Sequence, residues 1–114
     1  MTSEGLPRSW RITRGEDLKA VLSAATRCST PRLEIAWRAN QTEHPRLGVI
    51  VPRFGQTAVA RNRLRRRIRE LARRRILPVL PPVDLVIRSR SAAYSATHDA
   101  LAADIDQWLE TLPL

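Results

Sequence analysis

The sequence predicts a single α+β domain, and three observations support this prediction. Segments with the apolar spacing of helices are interspersed with segments that alternate like strands. A length of 114 residues suits one compact domain with a modest hydrophobic core. A hydrophobic fraction of 43% is typical of a folded protein rather than a disordered basic chain. We therefore expect one domain over residues 1–114, with residues 1–10 as a flexible N-terminus.

The first helix is predicted to begin at Thr13, a residue type that caps helices. Glu16 follows three residues later and completes a capping box. The apolar face of this helix is then formed by Leu18, Val21, Leu22 and Ala25. Pro31 and the small polar residues before it mark the end of the element.

Two strands are predicted next, and we expect them to pair with each other. Residues 33–38 alternate in polarity, so that Leu33, Ile35 and Trp37 share one side. Residues 47–51 form an almost continuous apolar run, which is typical of a buried strand. A short polar loop joins the two segments, and this favours an antiparallel pair.

A second helix, a third strand and a third helix complete the predicted order. Thr57 is the expected N-cap of a helix that ends near Ile76, because the prolines at positions 78, 81 and 82 cannot continue it. Residues 83–88 have the pattern of a strand. The last helix has an apolar stripe formed by Leu101, Ile105, Trp108, Leu109 and Leu112. Its acidic residues fall mostly outside this stripe, so we expect them to be solvated and turned away from any phosphate backbone.

The charge of the chain is concentrated in the second predicted helix. Residues 61–75 contain nine arginines and one glutamate, and they carry +8 of a formal net charge of +9. Leu64, Ile68 and Leu71 repeat at helical spacing and can dock this helix on a sheet. The opposite face is predicted to present Asn62, Arg66, Arg69 and Arg73, with Arg63 and Arg65 on its flanks. Because like charges at this spacing repel each other, we expect a polyanion, a nucleic acid, as the partner.

Several classes of protein are disfavoured by the sequence. Cys28 has no second cysteine for a disulfide, and with His44 and His98 it makes no recognisable zinc set. No apolar run has the length of a signal peptide or a membrane span, so the expected location is cytoplasmic. The acidic residues and histidines are scattered, which disfavours catalysis by the protein itself.

Residues 58–70 closely resemble the RNR signature of the bacterial ribonuclease P protein subunit. They read AVARNRLRRRIRE, and the family pattern is A-V-x-R-N-R-x-K/R-R-x-x-R-E. The position of Asn62 within the arginines makes the match specific. Residues 11–22, 47–52 and 84–90 resemble the first helix of the family and the strands on either side of the motif, so the resemblance spans about residues 8–112.

The resemblance implies a two-layer α/β sandwich with the order α-β-β-β-α-β-α, a fold also found in the second domain of ribosomal protein S5. An additional strand would lie near residues 27–32. The second helix would form an unusual left-handed β-α-β crossover, whereas general chirality rules favour the right hand.

The resemblance also implies a function. Proteins of this family assist a catalytic RNA that removes 5′ leaders from precursor tRNA, with magnesium bound mainly by the RNA. We therefore expect this RNA and precursor tRNA as partners, no membrane or obligate protein partner, and no catalytic or metal-binding residue in the protein. The residues expected to contact the RNA subunit are Arg53, Arg61, Asn62, Arg63, Arg65, Arg66, Arg67, Arg69, Arg73 and Arg90.

A cleft between the first helix and the sheet is the second surface that the resemblance implies, and it would hold the single-stranded leader. The residues expected there are Leu18, Leu22, Trp37, Arg11 and Arg14. Leu18 and Leu22 stand where the family often has phenylalanine, so weaker apolar contact would replace base stacking. Trp37 is equally compatible with the core, and Arg11 and Arg14 are equally compatible with surface charge that has no specific partner.

The loop before the motif departs from the family pattern. Where K-K-x-G-N-A-V is common, this chain reads Arg53-Phe-Gly-Gln-Thr-Ala-Val59. Phe54 replaces a basic residue, and Gly55 is expected to supply the permissive backbone one residue early.

The alternative function is that of a non-enzymatic RNA- or DNA-binding protein, ribosomal or architectural, which would also use an arginine-rich helix. Charge alone does not separate the two functions. The ordered motif and its matching flanks favour the ribonuclease P subunit.

Overall fold

A computed structural model describes residues 6–24 and 26–112. The main elements are α1 (Gly15–Ala24), β1 (Thr26–Ser29), β2 (Leu33–Ala39), β3 (Arg46–Ile50), α2 (Ala58–Leu71), β4 (Val83–Ser89) and α3 (His98–Glu110). Short 3₁₀ turns precede α1 (Arg8–Trp10) and α3 (Ser91–Ser95). A π-helical turn (Ala72–Ile76) extends α2, and a 3₁₀ turn (Leu77–Val79) follows it. The predicted α+β class and the order α-β-β-β-α-β-α are confirmed.

The four strands form one mixed sheet in the order β1-β2-β4-β3. β4 pairs antiparallel with β2 and parallel with β3. The predicted pairing of β2 with β3 is therefore wrong, because β4 lies between them. Val83, Leu85, Val86 and Ile87 make β4 apolar on both faces, and a strand of this kind is most stable at the centre of a sheet.

The larger core lies between one face of the sheet and helices α2 and α3. Its fully buried side chains include Leu33, Ile35, Leu85 and Ile87 of the sheet, Ile68 of α2, and Leu101, Ile105 and Trp108 of α3. On the other face, α1 places Val21 against Ala36 and Val86. Helix α1 thus adds a partial third layer to the predicted two-layer sandwich.

The N-terminal part of the described chain packs on the domain. Leu6 is buried in the larger core, and Trp10 stacks on His44 with ring centroids 4.5 Å apart. The expectation of a flexible terminus covers residues 1–10, of which residues 1–5 lie outside the described residues.

Helix α1 starts later than the sequence suggests. Its first backbone hydrogen bond runs from the Leu18 N–H to the Arg14 carbonyl, at 3.0 Å. Arg14 therefore occupies the cap position, and the prediction of a capping box at Thr13 and Glu16 is wrong. Ala25, predicted on the apolar face, lies outside the described residues.

Helix α3 is tied to the β1–β2 turn by a buried carboxylate. Asp104 is 3% exposed and accepts hydrogen bonds of 2.9 Å from the Thr30 hydroxyl and from the backbone and guanidinium of Arg32. The expectation that the acidic residues of this helix are solvated is wrong for Asp104, whereas Asp99, Asp106 and Glu110 are exposed.

None of the described helices is long and apolar enough to cross a lipid bilayer.

Candidate nucleic-acid interface

Helix α2 is held on the sheet by its apolar side, as predicted. Leu64, Ile68 and Leu71 are at most 3% exposed. The Thr57 hydroxyl accepts a hydrogen bond of 3.1 Å from the Ala60 N–H, which confirms the N-cap. A cap of this kind contributes about 1 kcal/mol to helix stability. The arginines of α2 therefore stand on a fixed scaffold.

The outer side of α2 presents an arginine ridge, which we define as Asn62, Arg63, Arg66 and Arg67. All four side chains are exposed. Within residues 6–24 and 26–112, no hydrogen bond or ion pair engages the guanidinium groups of this ridge. A guanidinium group has five N–H donors and suits bidentate contact with phosphate. The ridge is therefore open to a polyanion.

Arg61 lies apart from this ridge. It is half-buried, and its Nε donates a hydrogen bond of 2.8 Å to the Val51 carbonyl, just after β3. The sequence predicts Arg61 as an RNA contact, but the structure uses its side chain to fasten α2 to the end of a strand. Its place at the border of the apolar stripe is the sequence signal for this arrangement.

Arg73 is also set apart, because it pairs with the only acid in the arginine-rich segment. Glu70 accepts hydrogen bonds from Arg73 and from Arg74, and the latter is 2.7 Å long. These bonds lower the pKa of Glu70 to about 2. The helical spacing predicts that Arg73 projects from the outer face beside Arg66. In the structure its side chain is half-buried instead.

A first groove, the α1–α2 groove, crosses the β3 edge of the sheet. It has a volume of about 270 Å³ and is lined by Arg11, Ile12, Thr13, Leu18, Leu47, Val49, Arg65 and Arg69. The guanidinium of Arg11 donates two hydrogen bonds to the Leu6 carbonyl, of 2.9 and 2.6 Å, which fix its position. Burial lowers the pKa of Arg69, and the positive charges of Arg11 and Arg65 lower it further. Three converging cations without an acidic neighbour in the lining make a site suited to phosphate.

A second groove, the Tyr94 groove, follows the other flank of α2. It has a volume of about 260 Å³ and is lined by Gln56, Ala60, Arg63, Leu64, Arg67 and Tyr94. Tyr94 belongs to the turn before α3, and its hydroxyl donates a hydrogen bond of 2.7 Å to the Pro52 carbonyl. Sequence reasoning missed this groove, because Tyr94 is far from α2 in the chain and lies outside any periodic segment.

The structure brings Leu18 and Leu22 together on the sheet face of α1, where the family resemblance implies a leader-binding cleft. Both side chains are half-buried and pack against the smaller core. Gly48 of β3 lies directly beneath Leu18, and a side chain at this position would collide with it. Arg14 is exposed, and its guanidinium lies 3.9 Å from the carboxylate of Glu16.

Trp37 does not join that surface. Its ring packs edge-on against Trp108, with centroids 5.3 Å apart, on the face of the sheet that α2 and α3 cover. The placement of Trp37 in the leader cleft is therefore corrected. The two-residue period of a strand puts Trp37 on the side of Leu33 and Ile35, and α1 covers the opposite side.

Arg53 and Arg90 lie at the same end of the sheet, because they follow the parallel strands β3 and β4. Both are exposed, and Arg90 also donates a hydrogen bond of 3.3 Å to the Thr30 carbonyl. Arg53 begins the turn before α2, where Gly55 has φ +80°, so the expected permissive backbone is confirmed. Phe54 also has a positive φ, of 48°, and its side chain is 53% exposed.

The side chains offered by this interface are cations and amides, which repel or only weakly attract a metal ion. In the described part of the chain, no three His, Cys, Asp or Glu side chains are grouped so that they could hold a metal. Glu70, the acid nearest to the ridge in sequence, is engaged by two arginines.

Comparison with known proteins identifies the family of the chain. The family model described as Ribonuclease P matches residues 6–113. The ribonuclease P protein component of Xanthomonas campestris pv. campestris is 44% identical over 93 residues, which cover 81% of this chain and 62% of the relative. That of Acidothermus cellulolyticus is 33% identical over 109 residues, 94% of this chain and 91% of the relative. The chain thus spans less than two thirds of the Xanthomonas relative and nearly all of the other.

The fold is shared with solved structures. The Staphylococcus aureus RNase P protein superposes with a TM-score of 0.79 at 21% identity, covering 89% of this chain and 93% of that protein. The Thermotoga maritima RNase P protein gives a TM-score of 0.78 at 20% identity, covering 91% and 98%. The match of the family model over residues 6–113 shows that the chain belongs to the ribonuclease P protein family.

Proposed function

We propose that this chain is the cytoplasmic protein subunit of bacterial ribonuclease P, which binds the catalytic RNA and the 5′ leader of precursor tRNA and so assists endonucleolytic removal of the leader. One observation carries the proposal. The segment that matches the family motif is a docked helix whose arginine ridge has no partner within the described chain.

The chemistry of the ridge suits an accessory subunit. Arginine stays protonated at neutral pH, so it donates hydrogen bonds and neutralises phosphate but does not accept a proton. Guanidinium groups carried on a docked helix neutralise phosphates and so reduce the repulsion between two RNA molecules. We therefore assign the reaction to the RNA subunit, with magnesium bound mainly by that RNA.

The leader is assigned to the face of α1. Leu18 lines the α1–α2 groove together with Arg11, so apolar contact and phosphate contact are available side by side. A single strand that enters this groove would place a phosphate on Arg11 and a base against Leu18. Leu22 lies one turn further along α1 and would extend the apolar contact beyond the groove. Apolar contact without an aromatic ring predicts little preference for leader sequence.

Reconstitution with the candidate RNA subunit tests the proposal. The protein should accelerate cleavage of precursor tRNA at low magnesium concentration. The gain should shrink as the magnesium concentration rises, because magnesium ions and the arginines of the protein screen the same phosphates. Arg66→Ala should reduce the gain. Arg75→Ala is the matched control, because the Arg75 guanidinium already pairs with Asp106 at 2.7 Å. Absence of any stimulation would favour the general RNA-binding alternative.

A further inference from the structure

We propose that the Tyr94 groove is a nucleotide-binding site, which holds one unstacked RNA nucleotide with its base against the Tyr94 ring and its phosphate on Arg63 and Arg67. This proposal depends on the proposed function in one respect only, which is that the ligand is taken to be RNA. It assigns a binding role to Tyr94, which lies outside the arginine-rich helix.

The cationic side of the groove is provided by one turn of α2. Arg63 and Arg67 are four residues apart, so their side chains lie on the same side of the helix. Both are exposed, and neither is paired within the described residues. Like charges at this spacing repel each other, and a phosphate shared between them would relieve the repulsion.

The aromatic side of the groove is fixed in place. Tyr94 is half-buried against the larger core, and its hydroxyl is satisfied by the Pro52 carbonyl at 2.7 Å. The only hydrogen of the hydroxyl is therefore donated within the protein, and this bond fixes the ring at the edge of the groove. A ring held in this way loses little rotational freedom when a base stacks on it.

The remaining lining distinguishes a nucleotide from a simple anion. Gln56 is exposed, and its side-chain amide can both donate to and accept from the edge of a base. No acidic residue lines the groove. Guanidinium groups for phosphate, a ring for stacking and an amide for the base edge together match the parts of a nucleotide. The α1–α2 groove has the cations but no aromatic side chain in its lining.

Binding of the free protein to short RNA tests the site without the RNA subunit. The probes are a uridine pentanucleotide and the same pentanucleotide with abasic riboses. Wild-type protein and Tyr94→Phe should bind the base-containing probe at least about 5-fold more tightly than the abasic probe. Tyr94→Leu should lose most of this preference while keeping its affinity for the abasic probe. An unchanged preference in Tyr94→Leu would overturn the proposal.

A second measurement remains decisive if Tyr94→Leu does not fold, which circular dichroism would reveal. A 4-thiouridine pentanucleotide, photo-crosslinked to the wild-type protein, should mark the peptide that contains Tyr94. Crosslinks confined to other peptides would overturn the proposal.

Arg67→Ala should weaken binding of both probes and lower the salt slope by about 0.7, whereas Arg75→Ala should not. Because the RNA subunit is absent, these results are independent of the reconstitution that tests the proposed function.

Discussion

At the scale of single residues, the arginines of α2 and its π-helical extension fall into groups that have different environments. Arg61 fastens the helix to the chain after β3, and Arg75 pairs with α3. Arg69 is half-buried among like charges, whereas Arg66 is exposed and unpaired within the described chain. Replacing an arginine should therefore have a different effect at each of these positions, and the differences can be measured.

Replacing Arg66 and Arg69 separately should show one such difference. Either change to alanine should weaken binding to the RNA subunit and lower the slope of log K against log salt by about 0.7 to 0.9, if each side chain contacts one phosphate. Arg69→Ala also removes a partly buried charge that Arg11 and Arg65 repel, so the melting temperature of the free protein should not fall. Filter binding at several salt concentrations and thermal melts would measure both effects. Unchanged affinity and slope in both variants would show that this face of α2 does not bind the RNA.

Asp84 should make stability sensitive to acid. Burial raises the pKa of Asp84, but hydrogen bonds from Arg46 and Asn40, together with the charge of Arg46, outweigh burial and lower it overall. Because the folded-state pKa lies below the unfolded value of about 3.9, the stabilisation is present above pH 4 and is lost as the pH falls through the folded value. Asp84→Asn should lower the free energy of unfolding at pH 7 by about 1–3 kcal/mol and flatten its decline below pH 4. Urea titrations at several pH values measure the free energy of unfolding of both proteins. If it declines with falling pH in the same way for Asp84→Asn and wild type, this assignment is wrong.

At the scale of elements, local patterns were sufficient for the three main helices and for β2, β3 and β4, but not for the arrangement of these elements. Strand β1 was expected only from the family resemblance. The end of the arginine-rich helix near Ile76 follows from the prolines that succeed it, and the structure agrees. The insertion of β4 between β2 and β3 depends on contacts between distant segments, which no local pattern encodes. The same limit explains the Tyr94 groove, because its two sides come from separate elements. Strand alternation placed Trp37 with Leu33 correctly, but only the location of α1 reveals which face is the core.

The docking of α2 on the sheet predicts a large effect at Ile68. This side chain is fully buried, so Ile68→Ala should leave a cavity and destabilise the protein by about 2–5 kcal/mol. The urea midpoint should fall with little change in the slope of the transition. At a temperature where the variant remains folded, RNA binding should be close to wild type, because no arginine is altered. A loss smaller than 1 kcal/mol would indicate that the apolar side of α2 is not packed as described.

The close approach of α1 to β3 predicts that Gly48 is sensitive to substitution. A Cβ at this position would overlap the Leu18 side chain and lie 3.3 Å from the Ile12 Cβ. Gly48→Ala should therefore displace the half-buried end of the Leu18 side chain and destabilise the protein by about 1 kcal/mol, the lower end of the usual cost of overpacking. The double variant with Leu18→Ala should be less destabilised than the sum of the two single changes, because the shorter side chain opens space for the new Cβ. Gly15→Ala is a control because nothing lies within 4 Å of its added Cβ. Thermal melts of Gly48→Ala, Leu18→Ala, the double variant and Gly15→Ala suffice, and strict additivity of the Gly48 and Leu18 changes would contradict the proposed contact.

At the scale of the whole molecule, the sheet separates two surfaces. The larger core fixes α2 on one face, and the smaller core fixes α1 on the other. The α1–α2 groove at the β3 edge is where the two surfaces approach each other. The proposed contacts with the RNA subunit and with the leader would therefore fall on different faces of the domain, and Asp99, Asp106 and Glu110 of α3 are exposed elsewhere.

This separation predicts that changes on the two faces act independently. Leu22 lies on the α1 face, where it lines a small cavity with Arg27 and Arg88. Leu22→Phe would add a ring for stacking, so it should tighten binding of the RNA–protein complex to precursor tRNA with a leader, by about 1 kcal/mol, and leave mature tRNA unaffected. Arg67→Ala, on the other face, should weaken assembly with the RNA subunit and leave the preference for a leader intact. The two effects should add within about 0.5 kcal/mol in the double variant, because distant sites rarely couple. Equal effects of Leu22→Phe on precursor and mature tRNA would remove the leader from the α1 face, and a coupling well above 0.5 kcal/mol would show that both changes affect one continuous surface.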